Sequence, residues 1–228
     1  MPNFNRDGYR IVPAILACEE VEALRAALAS ETISPGRRNL MQCAPAVAAL
    51  AVSSKLLCLL EEAFDEECFP VRSIFFDKTP EANWLVPWHQ DLTVAVKERV
   101  EIPGYGPWST KEGVPHVHPP TEILENMVTV RLHLDDCDES NGPLRVIPGS
   151  HRLGRLNSGR ITKLRSQEKE VVCSVRAGDA FLMRPLLLHA SSQALAPTHR
   201  RVIHLEYSAC ALAEGLQWAE DHNPVGSR

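Results

Sequence analysis

In "CEEVEALRAALAS" (18–30), apolar residues at Val21, Leu24 and Leu28 fall at helical spacing, with acids early, where the helix dipole favours them. "APAVAALAVSSKLLCLLEEAF" (44–64) predicts a second helical region, broken near Ser53-Ser54. From about residue 70 the texture changes. Short apolar runs, "VRSIFF", "MVTVRLHL", "LRVIP", "VVCSV", "AFLM" and "RVIHLEYSA", alternate with Gly, Pro and Asp punctuation. Many short strands of this kind predict an antiparallel sandwich or barrel.

Two segments resist the strand reading. Residues 97–125 contain five prolines and three glycines beside Trp108, His116 and His118. A connection of that length without clear periodicity is expected to be functional or disordered, and as a functional segment it is the candidate lid, with Trp108 as its apolar cover. Residues 151–169 carry Arg152, Arg155, Arg160, Lys163, Arg165 and Lys169, a basic run expected as a solvated loop or a cradle for an anion. Asn141-Gly142 and Pro148-Gly149-Ser150 are expected turns.

The chain has 228 residues, a size that one large β domain reaches undivided, here spanning 1–228 with helices to about 68 and a strand core over about 70–210. A net charge of −5 argues against nucleic acid as a partner. The seven cysteines are scattered with no CxxC pair, which favours free thiols in a reducing cytoplasm. No stretch reaches the length of an apolar membrane span, and no secretory leader is read at the N-terminus. Oligomeric state has no signature here.

The chemistry begins at "WHQDLTVAV" (88–96), where His89 and Asp91 stand one residue apart at the start of a strand-like run. That pair alone does not separate a metal site from two polar residues on a solvent face. Downstream, Gly178-Asp179 makes a turn, an apolar strand follows, and His189 is expected at its end. Two imidazoles and one carboxylate suit one face of an octahedral iron(II), leaving three open positions. A 2-oxo acid fills two of them, and O2 takes the third. Arg200, eleven residues after His189 on the next apolar strand, supplies the planar fork for the distal carboxylate. A buried cation there would be costly without such a partner.

"HLDDCDESNGPLRVIPGSHRLGRL" (133–156), flanked by "NWLVPWHQD" and by His189 with Arg200, resembles the phytanoyl-CoA dioxygenase family. "NGPLRVIPGSH" is its most specific part. "DGYRIVPAIL" near the N-terminus is also similar to the family's opening. The resemblance implies a double-stranded β-helix, or jelly roll, with N-terminal helices packed against it. It implies iron(II) bound by His89, Asp91 and His189, 2-oxoglutarate held by Arg200, and ascorbate as a supporting reductant. Strand alternation turns the adjacent Arg201 to the other face. Asp91 points to hydroxylation, because halogenating relatives lack a carboxylate there.

Alternation on "VTVRLHLDD" puts Thr129, Arg131 and His133 on one face. Arg131 is expected to pair with a carboxylate of 2-oxoglutarate or of substrate. Family members can place a bulky aromatic near that position, so an arginine argues against a greasy acyl substrate. His133, His204, Trp108 and Lys78 are the candidate substrate contacts, with Trp84 as a possible border and Glu206 on the face of Arg200. The expected reaction hydroxylates a C–H bond of a polar or anionic small molecule, with release of succinate and CO2. A CoA thioester, held by Arg152, Arg155 and Lys163, stays open. The rival readings are a cupin-like isomerase or binder without oxygenase activity, and a zinc hydrolase.

Overall fold

The computed structural model describes residues 2–29, 36–61, 63–64, 67–195 and 198–220. Ser30 and Glu62, included in the helical expectations, lie outside them. Helices α1 (Phe4–Asp7), α2 (Cys18–Leu28), α3 (Leu40–Cys43), α4 (Pro45–Ala51) and α5 (Ser54–Leu60) occupy the first part of the chain. The expected break near Ser53 separates α4 from α5. Strand β1 (Tyr9–Val12) was not anticipated there; four residues are too few for alternation to register.

Strands β2 (Phe69–Lys78), β3 (Val86–His89), β4 (Val94–Ala95), β5 (Trp108–Lys111) and β6 (Val114–Val117) come next, followed by helix α6 (Thr121–Glu125). Then come β7 (Met127–His133), β8 (Leu144–Val146), helix α7 (Ser158–Gln167), β9 (Val171–Cys173), β10 (Ala180–Met183), β11 (His189–Ser191) and β12 (Arg200–Ser208). One antiparallel sheet has the order β1-β10-β7-β12-β2, and a second β3-β11-β8-β9. They face each other across Tyr9, Phe181 and Met183 from the first and Leu144 and Val146 from the second. This is the jelly roll.

The outer face of the five-stranded sheet (Val128, Val130, Leu132, Ile203, Leu205) packs against α2–α5 through Val21, Leu24, Val47, Leu56 and Leu60. The Tyr207 hydroxyl donates to the Ala51 carbonyl at 2.8 Å, tying α4 to β12. Hence β7 and β12 are apolar outward and polar inward, which leaves Arg131, Arg200, His204 and Glu206 facing the interior between the sheets, while Arg201 at the start of β12 turns outward to Asp135.

Three expectations need correction. Residues 97–125 are not an irregular connection, because β5 and β6 form a hairpin that pairs with β4 as a third sheet. Its turn sits at Glu112 and Gly113, both with positive φ, which a hairpin of this kind requires. Residues 158–167 are helical rather than loop, capped by Asn157, whose side chain accepts from the Arg160 amide at 2.9 Å. His189 does not end the strand after Gly178. That strand stops at Met183, a turn follows, and His189 opens β11. Among the described residues no helix is long and apolar enough to cross a membrane.

Candidate metal centre and its pocket

β3 and β11 run antiparallel with His89 directly opposite His189, so two residues a hundred positions apart in sequence become cross-strand neighbours. Asp91 follows His89 by two residues, and its amide donates to the Pro185 carbonyl at 2.9 Å. The intervening Gln90 is buried. It donates to Leu186 at 2.6 Å and Gly154 at 2.9 Å and accepts from the Leu156 amide at 2.8 Å. These bonds hold the irregular stretch between β3 and β4 in one shape. Trp88, beside it, has the guanidiniums of Arg145 and Arg165 at 5.4 and 5.5 Å, which anchors α7 to β3.

One donor atom from each of His89, Asp91 and His189 lies within 4.8 Å of the others. Nε2 of His89 is 3.6 Å from the Asp91 carboxylate, and Nε2 of His189 is 3.8 Å from it. Each histidine contacts a backbone carbonyl through Nδ1, Pro87 at 2.9 Å and Leu187 at 2.8 Å. A carbonyl only accepts, so Nδ1 carries the proton and Nε2 presents its lone pair to the shared point. Burial holds His189 down to about 4, a neutral ligand. Burial also acts to lower His89, but Asp91 overrides it and raises it. Burial pushes the Asp91 carboxyl up, and the two imidazoles outweigh it, holding Asp91 far below the carboxylate range. The neutral nitrogen of His189, the nitrogen of His89 once a metal takes the place of its proton, and one carboxylate oxygen fit a divalent iron with open positions.

The three border a cavity of about 390 Å³, also lined by Arg200, Arg131, His204, Glu206, Arg72, Phe76 and Trp84. That size suits a small-molecule site. Arg200 is 4% exposed. Its Nη1 donates to the Gly142 carbonyl, its Nε has no partner, and it forms no ion pair with a carboxylate among the described residues. Arg131 is buried, with its guanidinium 5.3 Å from the Phe76 ring centre. Burial, and then Arg200, push it down to about 10. Arginine only donates, so its 2.9 Å contact with His204 Nδ1 makes that nitrogen the acceptor. His204 Nε2 then donates to Glu206 at 3.1 Å, and Glu206 accepts from Arg72 at 2.9 Å.

The structure therefore brings His89, Asp91, His189, Arg200, Arg131 and His204 around one cavity. Lys78 and His133 are buried behind its wall rather than lining it. Trp108 is not at the cavity. It lies on the opposite face of β5 from Lys111, against the apolar cluster that includes Leu216 and Trp218, because alternation turns residues three apart to opposite sides. Lys111 and His118 from that segment line the cavity instead, as does Arg38. Arg72 was reachable by counting back in twos from Lys78. Arg38 and Lys111 carried no local signal. The basic residues Arg152 and Lys163 do not reach this cavity, and Arg155 donates to the Pro119 carbonyl.

A family model described as phytanoyl-CoA dioxygenase matches residues 4–202. No curated protein matches the chain. Among solved structures, EctD from S. alaskensis with bound Fe is 22% identical at TM-score 0.68, covering 90% of this chain and 74% of that one. AviO1 from Streptomyces viridochromogenes Tue57 is 24% identical at TM-score 0.64, covering 92% and 93%. HygX from Streptomyces hygroscopicus with nickel and 2-oxoglutarate bound is 19% identical at TM-score 0.65, covering 90% and 84%. At these identities the likeness establishes the fold.

Proposed function

The chain belongs to the phytanoyl-CoA dioxygenase family of non-haem iron, 2-oxoglutarate-dependent oxygenases, and from that premise we propose that it hydroxylates a C–H bond of a polar or anionic small molecule. The balance is one substrate, one O2 and one 2-oxoglutarate giving hydroxylated product, succinate and CO2, with ascorbate as a supporting reductant. The observation that carries this reading is the convergence of His89, Asp91 and His189 beside a buried arginine that has no acid partner among the described residues.

Iron(II), when bound, supplies the redox and Lewis-acid centre at which co-substrate and O2 react. The protein supplies position and charge. The carbonyls of Pro87 and Leu187 fix both imidazoles with Nε2 toward the metal. Asp91 adds the anionic ligand. Arg200 takes the distal carboxylate of 2-oxoglutarate, an interaction worth more in a buried site than in water. Arg131, held by His204, keeps donors for a second carboxylate. The seven cysteines stand as free thiols, which suits the reducing cytoplasm we assign.

The test is succinate formation under air with iron(II), ascorbate and 2-oxoglutarate, comparing wild type, Asp91→Ala and Arg200→Ala. Slow uncoupled turnover is expected from wild type and none from Asp91→Ala. Arg200→Ala is expected to recover only at high 2-oxoglutarate, a KM effect. No succinate from wild type, with no 2-oxoglutarate-dependent absorbance of anaerobic iron(II), would make the protein a metal-binding jelly roll without oxygenase activity.

A further inference from the structure

The pairing of β2 with β12 sets Lys78 opposite Arg200 at one end and Arg72 opposite Glu206 at the other. Six residues of strand separate those ends by about 20 Å. Arg200 marks the co-substrate end. At the other end, cations from three separate parts of the chain line the cavity: Arg72 from β2, Lys111 from β5, and Arg38 from the segment along the free edge of β2. Glu112, in the β5–β6 turn, links two of these parts through its ion pair with Arg38 at 3.5 Å.

This end is short of negative charge. Glu206 neutralises Arg72. Glu112 lies 3.5 Å from Nε of Arg38, an ion pair that does not reach hydrogen-bond geometry, and among the described residues the buried Nη1 of Arg38 has no hydrogen-bond partner. Among the described residues the Lys111 amine has a single 3.3 Å bond, to the Thr93 hydroxyl, and no carboxylate partner. Burial, and then mutual repulsion with Arg72, push both Arg38 and Lys111 down. Clustered cations with unsatisfied donors are costly unless an anion arrives. Trp84 and Phe76, with ring centres 6.4 Å apart, border the cavity between this end and Arg200.

We propose that Arg38, Arg72 and Lys111 form an oxyanion-binding subsite that holds a carboxylate or phosphate group of the substrate at the end of the cavity away from Arg200. The substrate class is a small acid with a compact body lying against Trp84 and Phe76. Its two ends are thereby distinguished from the diacid co-substrate, which uses Arg200. The assignment rests on the oxygenase reading of the cavity.

The test measures binding and needs no turnover, so its failure and that of the oxygenase reading are separable. Protein loaded anaerobically with iron(II) and 2-oxoglutarate is titrated by calorimetry with inorganic phosphate and, separately, with benzoate, at low ionic strength. Wild type is expected to bind at least one probe at one site without displacing 2-oxoglutarate. Lys111→Met and Arg38→Gln, each checked for a wild-type melting temperature, are expected to bind it at least about tenfold more weakly. Tighter binding of phosphate identifies a phosphate ester, and tighter binding of benzoate a carboxylic acid. No binding by wild type, an affinity unchanged in both variants, or competition with 2-oxoglutarate would overturn the subsite. Succinate formation in the earlier assay would survive any of these results.

Discussion

At the scale of single residues, the interior of this sheet is an exercise in keeping several cations close together. His133 is fully buried between Arg131 and Arg200 with neither ring nitrogen partnered. Burial, and then those arginines, hold it well below the usual histidine range, so it adds no third positive charge. Lys78 has a similar problem and a different answer. Burial and Arg200 push its amine down to about 7, while its nitrogen donates to the Ser191 hydroxyl at 3.2 Å and the Ser192 carbonyl at 2.5 Å. Below pH 7 the amine is charged in folded and unfolded chains alike, and folding bears the whole cost of burying it. Between about 7 and the ordinary lysine value near 10.5, the unfolded chain holds a proton that the folded chain does not, so this site's contribution to stability rises with pH. Lys78→Met removes that slope. Thermal unfolding from about pH 6 to about 9.5 should show the gap between variant and wild type moving in favour of the wild type as pH rises. A gap independent of pH would mean the amine keeps its proton throughout.

At the scale of elements, the proposed co-substrate end of the cavity is held by backbone as much as by side chains. Gly142, between the short 3-10 turn at Glu139–Asn141 and β8, has φ +71° and gives its carbonyl to Arg200. A Cβ there would collide with the Ser192 carbonyl, the same oxygen that accepts from Lys78. Gly142→Ala therefore adds left-handed strain of roughly 1–2 kcal/mol and pushes apart the two carbonyls that position both cations. It should lower the melting temperature and weaken anaerobic binding of 2-oxoglutarate. Wild-type values for both would show that the turn relaxes without moving Arg200. The same stretch is where the sequence was most readable. "NGPLRVIPGSH" carried the family resemblance, and in the fold Asn141 ends a 3-10 turn capped by Gly142 while Pro148-Gly149 is a turn. The missed strands are the short ones. β1, β5 and β6 have four residues each and β11 three, too few for alternation to show, whereas the equally short β8 and β9 are marked by the apolar runs "LRVIP" and "VVCSV" around them.

At the scale of the whole molecule, the candidate metal ligands His89 and His189 stand on β3 and β11 and the arginines belong to the opposing sheet, so ligands held by both sets would bridge the two sheets. Iron(II) with 2-oxoglutarate at a hundredfold excess over its Kd should stabilise the fold by about 2.7 kcal/mol, a rise of about 5–10 °C for a chain this size. Asp91→Ala should abolish the rise, and a melting temperature indifferent to both ligands in wild type would argue that the sheets are not bridged there. The sequence by itself determined the donor types and the facing of Arg131, Arg200 and His204, whereas the fold decided that His189 opens a strand of its own and that Asp91 stands beyond the end of β3. Residue chemistry is intrinsic and strand alternation is local, so both can be read from neighbours a few positions apart. Only the tertiary structure decided that Trp108 turns away while Lys111 turns in, and that Arg38 and Arg72 meet it. Those outcomes depend on how a hairpin, a sheet edge and an N-terminal segment close on one another. The charge of a cavity is a sum over elements distant in the chain, and no local pattern encodes that sum.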